Sequence, residues 1–146
     1  MIVQTIQLAL TPVFVLVAIG NILNILSTRL GRVVDRARML QTLFNQTEGG
    51  EHDGIVREIR LVDQRIKIIT RAIRLMVLSA LAIGSTVAIL FLQGLVGFDL
   101  TVLAALVFIV SIALLLAALV LFLQETQVAA KALEVPADFL ELHRDI

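Results

Sequence analysis

Charge is confined to one part of this chain, and that confinement limits what it can fold into. Ten of its twelve lysines and arginines fall within residues 29–74, and uncharged apolar runs flank that segment on both sides. Residues 1–28 carry no charge, and Asp99 is the only ionisable group between Arg74 and Glu125. A hydrocarbon core about 30 Å thick needs roughly 20 apolar residues at about 1.5 Å rise each, so each of the three runs is long enough to span a bilayer. Lys and Arg collect on the cytoplasmic side of short loops, so their placement predicts orientation as well as location. The expectation is an all-α membrane protein of three transmembrane helices, with the N-terminus outside and the C-terminus in the cytoplasm.

Composition agrees with that expectation. The chain is 59% hydrophobic with a mean hydropathy of +0.99, well above the soluble norm of about 45–50% apolar. Twelve acidic and twelve basic side chains are too few to keep that much apolar surface in water. The formal net charge of zero conceals an asymmetry: residues 29–74 hold ten bases and six acids, and residues 125–146 hold two bases and five acids. Cysteine is absent, which excludes disulfides and thiolate chemistry. The first run lacks the basic start and the cleavage pattern of a signal peptide, so it is expected to remain on the mature protein. Trp and Tyr are absent, which leaves arginines to anchor the chain at the inner interface.

Residues 146 in number make one domain, divided as transmembrane helix one (about 12–28), a charged segment 29–74 with a turn at 46–54, helix two (75–97), helix three (100–123) and a tail 124–146. Pro12 is placed to open the first helix after a Thr11 cap, with residues 1–11 on the membrane surface. The alternative is one long helix running through Pro12. Leu16, Ile19, Leu23, Leu26, Leu30, Val33, Ala37, Leu40 and Phe44 keep a 3-4 spacing, the signature of a coiled-coil seam. So do Ile55, Ile59, Val62, Ile66, Ile69, Ile73, Met76, Ala80, Ile83, Val87 and Leu90. Two such seams around a turn containing Gly49 and Gly50, with Asp53 as the next cap, predict an antiparallel helical hairpin that carries the first two helices into the cytoplasm. Asp99 is placed to cap helix three, and Pro136 to start a tail helix bearing Phe139, Leu140 and Leu142.

Several constellations are candidates for function. Arg29, Arg32, Arg36, Lys67, Arg71 and Arg74 are expected to gather at the inner membrane surface, where cations bind anionic headgroups or other anions. The plainer reading is a topology signal with intrahelical pairs such as Asp63 with Lys67. Asn21 and Asn24 on helix one, and Ser79, Thr86 and Gln93 at seven-residue spacing on helix two, are either interhelical polar contacts or the lining of a pore. Ala80, Gly84 and Ala88 form a small-residue ridge, and Leu61, Ile68 and Leu75 an apolar row beside the seam, both suited to packing against another copy. No catalytic motif, metal-ligand spacing or phosphate loop is present, and no acidic residue interrupts the membrane runs. Nucleic acid is not expected as a partner, because no aromatic side chain accompanies the basic patch. The chain is therefore expected to be no enzyme, to need no cofactor and to have the bilayer and its own copies as partners.

The stretch ALTPVFVLVAIGNILNILSTRLGRVVDRAR, residues 9–38, resembles a bacterial membrane protein family filed as domain of unknown function 2721. Thr11, Pro12, Asn24, Arg29, Arg32, Asp35, Arg36 and Arg38 carry the resemblance. It implies a bacterial inner-membrane protein with the three-helix plan, and it brings no activity with it. The functional expectation is a non-enzymatic, homo-oligomeric assembly or interaction module that contacts anionic lipid. The alternative is an oligomeric ion or small-solute channel.

Overall fold

The computed structural model describes residues 2–132, and three α-helices joined by two short connections make up that span. Three helices follow one another: α1 (Ile2–Phe44, 43 residues), α2 (Gly50–Val96, 47 residues) and α3 (Thr101–Ala132, 32 residues). All three are long and apolar enough to cross a membrane. The proposed tail helix from Pro136, with Phe139, Leu140 and Leu142, lies outside the described residues.

The first helix is continuous through Pro12, so the separate surface segment and its Thr11 cap are not formed. Proline removes one backbone donor, a loss that apolar spanning helices tolerate. The first connection is also shorter than the spacing predicts. α2 begins at Gly50 after Gly49, which takes φ 69° and gives no side-chain cap. Asp53 therefore lies inside the first turn rather than before it. Its N–H donates to the Gly49 carbonyl at 3.3 Å, and its charge suits the positive end of the helix. At the other end of α2, Gly97 adopts φ 76° and donates to the Gln93 carbonyl at 3.1 Å, a left-handed helix stop.

Packing follows the heptads. Ile19, Leu26, Val33 and Leu40 of α1, and Val62, Ile69, Met76 and Ile83 of α2, are all buried. Leu23, Leu30, Ala37, Ile59, Ile66 and Ile73 pack half-buried beside them. The seams read from the sequence are thus packed from Ile19 to Leu40 and from Val62 to Ile83, while Leu16 and Phe44, at the ends of the first, are exposed. α2 also has a second buried row that those seams do not include: Ala72, Ser79 and Thr86, again seven residues apart. That row faces α3, whose buried positions are Ala104, Ser111, Ala118 and Glu125, at the same interval. α2 is thus packed along both other helices, while α1 and α3 scarcely touch. Outside this core the surface is oily: Phe14, Leu81, Ile109 and Leu116 are among many large apolar side chains left exposed.

Candidate functional site: a buried carboxylate between two arginines

Small residues at every seventh position allow α3 to approach α2 closely, and polar atoms then need partners within the contact. Ser79 Oγ donates to the Ser111 carbonyl at 2.7 Å, and Ser111 Oγ donates to the Phe108 carbonyl at 2.6 Å. Thr86 returns its hydroxyl to the Ala82 carbonyl at 3.0 Å. At the end of the row Gln93 Nε2 donates to Thr101 Oγ1 at 3.1 Å, and Gln93 Oε1 accepts from the Leu100 N–H at 3.3 Å. Beside it, Asp99 Oδ1 accepts the Thr101 N–H at 3.0 Å. That backbone bond, with the Thr101 hydroxyl, holds the Asp99 carboxyl below its ordinary value.

The opposite end of the same row is the most unusual place in the molecule. Glu125 continues the series Ala104, Ser111, Ala118 and is fully buried. Arg65, seven residues before Ala72, reaches it with Nη2 at 2.9 Å and Nε at 3.0 Å, both to Oε1. Arg29 of α1 approaches from the other side, with Nη2 at 2.6 Å from Oε2. This second contact has the distance of an ion pair but not the angle of a hydrogen bond, and Arg29 Nε has no hydrogen-bond partner. The Arg29 guanidinium also lies 5.3 Å from the centre of the Phe122 ring, within cation–π range. One carboxylate thus joins all three helices where α1 and α3 otherwise have little contact.

The electrostatics favour a clamp. A lone buried carboxylate is costly, but two guanidiniums supply opposite charge and that of Arg65 supplies directed donors as well. The triad carries one excess positive charge, which the partly exposed arginines, 31% and 23% accessible in their side chains, share with their surroundings. By sequence alone Glu125 is the first acid of the tail, just beyond the last uncharged run. The structure instead seats it on the buried face at the end of α3. The signal was its seven-residue spacing from Ala118, Ser111 and Ala104, which becomes legible only when the second row of α2 is laid beside it.

The remaining candidates separate into two groups. Arg36 pairs with Glu58 at 2.6 Å, and Lys67 with Asp63 at 2.6 Å as the i, i+4 spacing predicts. Arg32, Arg71 and Arg74 are exposed and make no ion pair among the described residues. Asn21 and Asn24 lie on the outward side of α1, exposed, and their side chains make no hydrogen bond among the described residues. Of the small-residue ridge, Ala80 is half-buried, while Gly84 and Ala88 face open space; Leu61 and Ile68 are half-buried. His52 packs against Phe44 with ring centres 4.5 Å apart and the rings tilted by 51°; His143 lies outside the described residues.

Over the described residues these features define a helical fold whose three long apolar helices indicate a multi-pass membrane protein. Residues 9–135 match the family model described as Protein of unknown function (DUF2721), and the chain belongs to that family. Neither a curated protein nor a solved structure matches it.

Proposed function

We propose that this protein is a non-enzymatic assembly module of the bacterial inner membrane. Its N-terminus lies outside, and the charged ends of α1 and α2 form a helical hairpin in the cytoplasm. Copies associate through the outward faces of α1 and α2, and the arginines near the membrane contact anionic lipid. The observation that carries this reading is the pair Asn21 and Asn24. Carboxamides turned outward from an apolar helix, without partners, are unfavourable against acyl chains. Each carboxamide both donates and accepts, so the same residues of a second, parallel copy satisfy them. Exposed Gly84 and Ala88 give α2 a comparable close-approach surface.

A channel lined by Ser79, Thr86 and Gln93 is less well supported. Ser79 and Gln93 are bonded to α3, and Thr86 is bonded within its own helix.

The cysteine-free chain makes the test simple. Ser27→Cys, beside the asparagines on the outward side of α1, is expected to give disulfide-linked dimers in native membranes under mild oxidation. Leu123→Cys on α3 serves as the comparison and is expected to give few. Equal cross-linking at both positions, or none at Ser27→Cys, would refute association through α1.

A further inference from the structure

Among the described cations without a carboxylate partner, Arg71 and Arg74 differ from the rest in height along the bundle. Arg32, Arg38, Arg57, Arg60 and Lys131 all lie toward the α1–α2 turn from the Arg29–Glu125–Arg65 triad. Arg71 and Arg74 lie on its apolar side, about 9 and 14 Å from Arg65 along α2. Both are exposed, one turn apart, and neither makes a hydrogen bond or ion pair among the described residues.

The helix registers fix what else shares that height. Ser79 with Ser111, and Arg65 with Glu125, set α3 against α2; continued, they put Arg71 level with Leu119 and Arg74 level with Leu116. The outward side chains of α3 there are apolar: Leu116 is 57% exposed, Val120 54% and Leu123 59%. Arg36 with Glu58, and Phe44 with His52, set α1 against α2 and put Arg74 about level with Asn21, inside the run that has no charge. α3 therefore presents acyl-facing surface, and α1 an uncharged one that includes Asn21 and Asn24, at the height where α2 presents two bare guanidiniums.

Both demands are met where headgroup phosphates border the acyl chains. A tilt of the usual size, about 20°, lifts the outward face of α2 toward the headgroups while α3 stays among the chains. The guanidinium fork matches phosphate oxygens two at a time, and a lipid carries its phosphate to this depth without bringing a soluble ion into an oily surface. We propose that Arg71 and Arg74 form a clamp for the phosphate of an anionic phospholipid, with the Lys67–Asp63 pair one turn away. The proposal rests on the membrane-embedded reading alone, so a finding that the protein does not self-associate leaves it intact.

The test is lipid retention by the full-length protein. Protein taken from nanodiscs of mixed phosphatidylcholine and phosphatidylglycerol is washed in mild detergent and its bound lipid counted by native mass spectrometry. Wild type is expected to retain phosphatidylglycerol, and Arg71→Gln/Arg74→Gln to lose it about ten-fold or more. Arg57→Gln/Arg60→Gln is expected to match wild type. Arg71→Lys/Arg74→Lys keeps the charge and the helix but not the fork, and is expected to retain an intermediate amount. Equal retention by Arg71→Gln/Arg74→Gln and wild type would overturn the clamp. Displacement of the lipid by inorganic phosphate at matched concentration would assign the site to a soluble anion and overturn the lipid assignment.

Discussion

Replacing Glu125 with glutamine tests the triad as the junction of the three helices. The side chain is fully buried, and the change preserves its shape while removing the charge that holds Arg29 and Arg65 together. Two guanidiniums are then left facing each other across a neutral amide. Removing one partner from a buried ion pair costs about 3–5 kcal/mol. Here the arginines are 31% and 23% accessible, so part of the penalty is relieved and the lower end, about 3 kcal/mol, is expected. Equilibrium unfolding in mixed micelles, followed by helical circular dichroism, measures it. The compensated variant Arg29→Met/Glu125→Met/Arg65→Met discards the charges together, and its stability is expected to return to within about 1 kcal/mol of wild type or to exceed it. A cost below about 1 kcal/mol for Glu125→Gln would refute the clamp. So would a triple variant less stable than the single one.

Other expectations follow from neighbouring contacts. Ser79→Ala removes the 2.7 Å bond to the Ser111 carbonyl and is expected to cost about 1 kcal/mol in the same unfolding assay. Because Asp99 is held below the ordinary carboxyl value of 3.8, its bond to Thr101 stabilises the fold above that value and is lost as pH falls through the lowered one. The stability gap between wild type and Asp99→Asn should therefore narrow on acidification, and a constant gap would contradict the assignment. Cysteines at Thr47 and Gln127 are expected to react with impermeant reagents only from the cytoplasm, and one at Thr5 only from outside. Gly84→Leu is expected to lower the copy number seen by sedimentation in detergent, since it fills the open space at that position.

Much of the fold was legible because apolar periodicity is a direct record of burial. The seam from Ile19 to Leu40 and the one from Val62 to Ile83 were readable at seven-residue spacing, and both are packed. The family assignment from residues 9–38 agrees with the match over residues 9–135. The second contact face was harder to see, since alanine and serine look alike on a lipid-facing helix and on a buried one. Ser79, Thr86 and Gln93 stood out as a row, but its continuation through Ala72 to Arg65 carried no polar signal that distinguished it from the basic cluster. Glu125 was missed for a related reason: it follows the last apolar run directly and reads as the first residue of an acidic tail. Pro12 left two readings open, a helix start or one long helix; local propensity favours the first, and the apolar surroundings keep the helix intact.

Self-association is the claim on which the proposed role depends, and counting copies measures it most directly. Protein labelled once with a fluorophore, extracted from native membranes directly into nanodiscs without a detergent step, can be scored by single-particle photobleaching. Two or more bleaching steps in most particles is the expected result, with the Asn21→Leu/Asn24→Leu variant shifted toward one. Single-step bleaching throughout for the wild type, at native abundance, would contradict the account.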